Sequence, residues 1–381
     1  MTAEIRPYAR QPRPRTATFV DARSWVFWTV VVLTLGALTQ VAPLVLESAV
    51  ASPASGAYAA FLWAAYGLVF ASSVWVFELY ERRHLVNVAG ALVWGAIVAV
   101  GLAHIAGPAM HTIVGARVGD DSLWLSSISA PLVEEPLKVL GVVALALVPG
   151  ARIRTVADGA FYGGMIGLGF QVVEGFLYTA RTAALAGEPM ETVTQMFVLR
   201  GIVAGLWSHA AFSAIAGAGV AFFFVSVAPA LQRWAVALGA LGAAMALHAL
   251  LNSPVVQGTQ VTSALIKGVP IVAVLLTTLH VSHLRERAVF ARTARVTVPD
   301  HLVSPADFEG LSTRTRRRHA RADMRDRHGR PAARDLHRLQ RAQLALLVAA
   351  HSDGMISARA ADAAGRVTSA RSSLAWSIVG K

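Results

Sequence analysis

Ala130-Pro131-Leu132-Val133-Glu134-Glu135-Pro136-Leu137-Lys138 decides how the chain is read, because it sets three ionisable groups inside an apolar run over 127–148. A run of about 20 such residues is what an α-helix needs to cross a bilayer. A charged side chain at the centre of a membrane helix costs about 2.5–3.5 kcal/mol on insertion scales, so these groups need partners or a purpose. Lys138 follows Glu134 by four positions and Glu135 by three, which on a helix puts it on one face with both. One ammonium neutralises one carboxylate. The other takes up a proton or is held by groups from another helix.

Outward from this stretch, further apolar windows lie near 25–46, 57–79, 86–108, 157–180, 198–227, 232–252 and 263–284. Together they predict an all-α, polytopic transmembrane helical bundle of about eight spans, since backbone groups in lipid must be satisfied within each segment. Composition agrees: 55% of the 381 residues are hydrophobic and 15% charged, against about a quarter charged in soluble domains. Mean hydropathy is +0.54. Gly163-Gly164, Gly167, Gly169 and the run Gly239-Ala240-Leu241-Gly242-Ala243-Ala244 are expected to let helices approach closely. The chain has no cysteine, which excludes disulfides, thiolate nucleophiles and Cys-ligated zinc. A metal would have to use His, Glu, Asp or Asn.

Loop charge gives an orientation. One side carries Arg6, Arg10, Arg13, Arg15 and Arg23, then Arg82-Arg83, Arg152 with Arg154, Arg233 and the C-terminal tail. The other side, 47–56, 109–126, 181–197 and 253–262, has only Arg117 and Arg181 as basic residues. Both termini are therefore expected in the cytoplasm of a multi-pass protein of the plasma (cell) membrane, which requires an even number of spans. The basic segment 1–24 is read as a cytoplasmic N-terminus, because the apolar run after it is longer than the roughly 7–15 residues of a signal peptide's core.

The membrane domain is expected over 25–284, and 285–381 as a basic cytoplasmic tail, partly helical or disordered. The tail holds nineteen Arg or Lys and nine Asp or Glu, so +10 of the formal +12 lies there. Arg314, Arg316, Arg317, Arg318 and Arg321 cluster, Leu336, Leu339, Leu346 and Leu347 recur near helical spacing, and Ser304-Pro305 with Asp307 resembles a helix start. Such a tail suits anionic lipid or simple solvation. No nucleic-acid motif with interleaved aromatics appears, so nucleic acid is not expected as a partner.

The polar groups of four successive spans, 127–252, make the candidate site. Besides Glu134, Glu135 and Lys138 these are Glu174, the Trp207-Ser208-His209 stretch, and His248 with Asn252 four residues on. At the helical rise, Glu134 and Glu135 lie ~10–12 Å below the outer boundary, Glu174 ~9 Å, His209 ~16 Å and His248 ~6 Å. They could converge on one cavity in the outer half of the bilayer. Such a set suits water activation: amide hydrolysis needs a base, a proton donor for the leaving amine and stabilisation of the oxyanion. A glutamate can act as base and then acid; the histidines and the Asn amide can bind the oxyanion, or the histidines and a glutamate can hold zinc.

Each group also has a structural alternative. Glu134 or Glu135 with Lys138 forms an ion pair, Glu174 neutralises Arg200 or Lys138, and His248 faces the interface, as His104, His111, His280 and His283 are read to do. Two other function classes stay open. One is a proton- or cation-coupled transporter using the same carboxylates, against which the absence of an internal repeat speaks. The other is a non-catalytic membrane scaffold.

Glu134-Glu135-Pro136-Leu137-Lys138, Phe170-Gln171-Val172-Val173-Glu174, His209, and His248 followed by Asn252 stand in the order found in the PrsW family of intramembrane proteases, which is related to the CAAX prenyl endopeptidase superfamily. The resemblance covers roughly 127–252. It implies metalloprotease-like hydrolysis of membrane-anchored proteins, such as anti-sigma-factor-like regulators. Carried over, Glu134 and Glu135 activate water, Lys138 tunes that pair, Glu174 assists or ligates, and His209 and His248 ligate a metal, Zn2+ being the candidate, or bind the oxyanion. The family often has Asp where this chain has Asn252, so hydrogen bonding is the role expected there.

Overall fold

The computed structural model describes residues 20–74, 83–148, 153–186 and 189–379. Arg6, Arg10, Arg13, Arg15, Arg82 and Arg152, which carry much of the orientation argument, lie outside them. The described chain is helical, in the order α1 (Trp25–Ala51), α2 (Pro53–Val74), α3 (Leu85–Val93), α4 (Val100–Val118), α5 (Leu125–Leu147), α6 (Val156–Ala184), α7 (Pro189–Phe197), α8 (His209–Val225), α9 (Ala230–Asn252), α10 (Gln260–Val296), α11 (Pro305–Leu311), α12 (Arg314–Asp353) and α13 (Ala358–Val379). A π-helical turn, Trp94–Ala99, joins α3 to α4; another, Val198–Val203, and a 3₁₀ turn, Gly205–Trp207, lie between α7 and α8.

Among the described residues, seven helical runs are long and apolar enough to cross a membrane, by length and composition. The helix carrying the charges, α5, is 23 residues long and is not among these seven. The expected all-α membrane bundle is thus the architecture, with boundaries that move outward. α1 and α2 meet at Ser52 rather than through a loop over 47–56, α4 runs on to Val118, and α10 continues to Val296. Apolar windows mark only the lipid-facing part of a helix, whereas its hydrogen-bond ladder continues into polar sequence.

Two compact units result, divided between Ser282 and His283, within α10. The first contains the site. Its most buried spans are α6 and the run from α7 to α8, while α1, α9 and α10 keep most of their side chains outward. The close approach of α6 to α8 depends on glycine. A Cβ at Gly163 would lie 2.0 Å from the Ser213 carbonyl oxygen, and one at Gly167 would lie 2.2 Å from that of His209. The small residues of α9 behave differently: nothing lies within 4 Å of a Cβ placed on Gly239 or Gly242, so these two do not serve close packing. α6 begins with a capping box between Thr155 and Asp158, and Arg83 donates to the same Asp158 carboxylate at 2.8 Å.

The second unit has its own core, including Phe290, Leu302, Phe308, Leu311, Leu339, Leu346, Leu347 and Val367. α11 starts at Ser304 with a reciprocal Ser304–Asp307 capping box. Part of the arginine cluster is spent internally. Arg317 is buried and donates to the Leu311 carbonyl at 2.5 Å, and Arg321 donates to Gln340 Oε1 at 2.7 Å. Arg316, Arg318, Arg325, Arg327 and Arg330 remain exposed.

Candidate active site

α5 carries the glutamates through two internal prolines, Pro131 and Pro136. Each lacks an N–H, which frees a carbonyl one turn earlier, and in a bundle neighbouring groups satisfy such carbonyls. Ser127, whose carbonyl Pro131 cannot serve, donates its own hydroxyl across to the Asn252 carbonyl at 2.8 Å. Glu135 and Lys138 are completely buried, and the Glu134 side chain is 13% exposed.

α8 begins at His209 because Ser208, with φ −100° and ψ −124°, interrupts the helical path after the 3₁₀ turn. Gln171 on α6 ties this break together. Its Nε2 donates to the Arg200 carbonyl at 3.1 Å, and its Oε1 accepts a short hydrogen bond from the Ser208 hydroxyl. An interrupted span of this kind is tolerated at membrane depth where protein covers the freed backbone, and π-turns gather at functional sites.

A continuous chain of charged hydrogen bonds runs through the site. Lys138 Nζ lies 2.7 Å from Glu135 Oε1, 3.4 Å from Glu134 Oε2 and 2.8 Å from His209 Nδ1. An ammonium has only donors, so Nδ1 of His209 accepts and its Nε2–H donates to Glu174 Oε2, 3.0 Å away. Arg200 donates to the same Glu174 oxygen at 3.2 Å and stacks over the Tyr178 ring at 4.0 Å. On the other side His248 Nδ1 donates to Glu135 Oε1 at 2.8 Å, which leaves Nε2 as the acceptor nitrogen of the neutral ring. The two imidazoles meet edge to face at 5.0 Å; Phe212 stacks on His248 at 5.1 Å, and Phe170 covers Lys138 Nζ at 4.2 Å.

Donor atoms of Glu134, Glu135, His209 and His248 all lie within 4.8 Å of one another. Two carboxylates and two imidazoles are a donor set that divalent transition metals accept. A further observation fits such an ion: Glu135 Oε2 is buried without a hydrogen-bond partner among the described residues.

Glu134, Glu135, Lys138, Glu174, His209 and His248 are therefore brought together. The grouping differs from the expected metal set of Glu174, His209 and His248: it is Glu134 and Glu135 that join the histidines, while Glu174 sits on the far side of the His209 ring with Arg200. The Asn252 side chain stays out. It is exposed and makes no hydrogen bond among the described residues, and only its backbone carbonyl takes part, as the acceptor for Ser127. His104, His111, His280 and His283 also lie outside the cluster. The sequence reading gives no role to Gln171 and Ser208, which hold the break before α8, and passes over Lys267, a buried lysine in α10. A single lysine in an apolar window is the signal that would have found Lys267.

A family model described as PrsW family intramembrane metalloprotease matches residues 83–279, which contain every residue of this cluster. No curated protein and no solved structure matches the chain.

Proposed function

The chain belongs to the PrsW family of intramembrane metalloproteases, and we propose that Glu134, Glu135, His209 and His248 form its hydrolytic centre. The observation that carries this reading is the convergence of their donor atoms within 4.8 Å, on three helices of a membrane bundle. Of the classes left open by the sequence, the family match favours the protease over the transporter and the scaffold.

Glu135, His209 and His248 are the residues that would hold a metal ion, with Zn2+ the best fit to a set of one carboxylate and two imidazoles. When bound, such an ion acts as a Lewis acid toward water and the scissile carbonyl. Glu134 is left as the base. Its side chain is partly accessible and only weakly engaged by Lys138 at 3.4 Å, whereas Glu135 is enclosed and gripped by two donors. Glu134 takes a proton from water as the water oxygen attacks the scissile carbonyl carbon. It returns that proton to the amide nitrogen as the C–N bond breaks, so that a carboxylic acid and an amine leave and Glu134 is again a carboxylate. Lys138 holds the two glutamates apart from mutual repulsion. Glu174, backed by Arg200, orients the His209 ring, as outer carboxylates do for ligating histidines.

A site enclosed by membrane helices suits a peptide bond of a membrane-anchored protein, and the resemblance points to anti-sigma-factor-like regulators. The loop charges support a plasma membrane protein with both termini in the cytoplasm. Exposed arginines of the second unit suit an anionic lipid surface. The test is purified protein in liposomes with a quenched fluorogenic single-pass peptide, together with metal analysis. Wild type should cleave and carry near-stoichiometric metal, and Glu135→Gln should lose both while remaining inserted. A Glu135→Gln protein that retains metal and turnover would overturn the assignment.

A further inference from the structure

His248 sits four residues from the end of α9, a helix whose side chains mostly face outward. Something other than general packing must hold this end still. The last carbonyls of any helix lack intrahelical partners, and inside a membrane each must find a donor. At the end of α9 these donors can be followed one by one. The Leu250 carbonyl accepts from the Ser253 hydroxyl at 2.7 Å and from the Ser253 N–H at 3.2 Å. The Leu251 carbonyl accepts from Lys267 Nζ at 3.2 Å. The Asn252 carbonyl accepts from the Ser127 hydroxyl at 2.8 Å, and the Ser253 carbonyl accepts a short hydrogen bond from Lys267 Nζ.

Two of these donors come from other helices, and both lie in revealing places. Ser127 is on α5, two turns before Glu134 and Glu135, so it ties the end of the His248 helix to the helix of the glutamates. Lys267 is on α10, is 6% exposed and has no acidic partner in its hydrogen bonds or ion pairs among the described residues. A buried ammonium satisfied by backbone carbonyls alone is costly in an apolar setting unless the negative end of a helix dipole receives it, and here it does. The next residue, Gly268, faces Trp207, two residues before the other histidine. A Cβ at Gly268 would lie 2.5 Å from Trp207 Cε2 and 2.6 Å from its Nε1. Trp207 ends the turn that precedes Ser208 and His209. Adjacent residues of one helix thus grip the segments bearing both imidazoles.

We infer that Lys267 and Gly268 form a positioning clamp for the hydrolytic centre, Lys267 locking the carboxyl end of α9 behind His248 and Gly268 seating Trp207 before His209. Neither touches the reacting atoms. The clamp rests on the reading of Glu134, Glu135, His209 and His248 as the hydrolytic centre. Its role is to keep the two imidazoles in mutual register while the outward-facing α9 moves in lipid.

The test uses the full chain in liposomes, with the same quenched single-pass peptide, and rates normalised to folded protein. Lys267→Met should lower kcat at least tenfold with KM within twofold of wild type, since outer-shell positioning is worth about 10–100-fold. Lys267→Arg, which keeps a cationic donor, should restore kcat to within about threefold. Gly268→Ala should lower kcat in the same manner through Trp207. If Lys267→Met does not accumulate as folded protein, Ser127→Ala, which removes only the bond to the Asn252 carbonyl, is judged by the same kcat criterion. Wild-type kcat per folded molecule in Lys267→Met (or in Ser127→Ala, where that variant stands in for it) and in Gly268→Ala would overturn the clamp. Glu135→Gln run beside them separates the two claims: if it too is fully active, the reading of the centre fails, and if it alone is dead, only the clamp fails.

Discussion

Lys138 shares its ammonium among Glu135, Glu134 and His209 Nδ1 at 2.7, 3.4 and 2.8 Å, so a metal held by His209 through Nδ1 would have to displace that contact. Three carboxyl groups of the network, Glu134, Glu135 and Glu174, stand against two cations, Lys138 and Arg200. Removing the ammonium strips Glu134 and Glu135 of the lysine they share, and breaking one partner of a buried pair costs about 3–5 kcal/mol. Lys138→Met should therefore unfold well below wild type when stripped of metal, and added Zn2+ should raise its midpoint more than it raises that of wild type. Equal midpoints for the two metal-free proteins would show that Lys138 is not what holds the glutamates. The pairing of Lys138 with both glutamates was legible from spacing alone. What spacing within one helix does not carry is the rotation of the next helix. For that reason the sequence could not tell that Glu174 meets Nε2 of His209 from outside, or that Lys138 takes Nδ1. Asn252 stays out for a related reason: it is the last residue of α9, about 6 Å along the axis from His248, and its side chain is exposed there.

Helices approach where the sequence omits side chains, but only the facing partner decides whether that matters. Gly167 on α6 lies against the His209 carbonyl, at the start of α8, whereas Gly242 on α9 faces open space. The same substitution should then have opposite results. Gly167→Ala forces α6 from α8 and should cost about 1–3 kcal/mol, the range for overpacking, with loss of turnover through His209. Gly242→Ala should be neutral or stabilising by up to about 1 kcal/mol, because alanine is the better helix former. Detergent-solubilised unfolding curves compare them directly, and equal shifts in the two variants would contradict the packing of α6 on α8. The spans themselves were legible as apolar windows, and so was the glycine-rich character of the interfaces. Hidden from that pattern were the break before α8 and the true lengths of α4 and α10. The first depends on Gln171 reaching Ser208 from another helix, and the second on polar helical ends that hydropathy does not register.

At the scale of the whole molecule, the chain joins a helical membrane unit holding the Glu134, Glu135, His209 and His248 cluster to a second unit with a separate core. The family match ends at residue 279, before that second unit. Removal of residues after Val296 should leave cleavage of a single-pass peptide within about twofold of the full chain in neutral lipid, while weakening binding to anionic vesicles. Loss of cleavage in neutral lipid on this truncation would tie the second unit to catalysis. Reporter fusions at the two ends of the chain test the topology, and an outward report from either would contradict the orientation read from the loop arginines. The central claim, that the intramembrane glutamates perform hydrolysis, is tested most directly by the cleavage rate of the purified Glu134→Gln/Glu135→Gln double variant. Folded and inserted in liposomes, it should fall at least a thousandfold below wild type (~4 kcal/mol of transition-state stabilisation). Cleavage by the double variant at the wild-type rate would contradict the account.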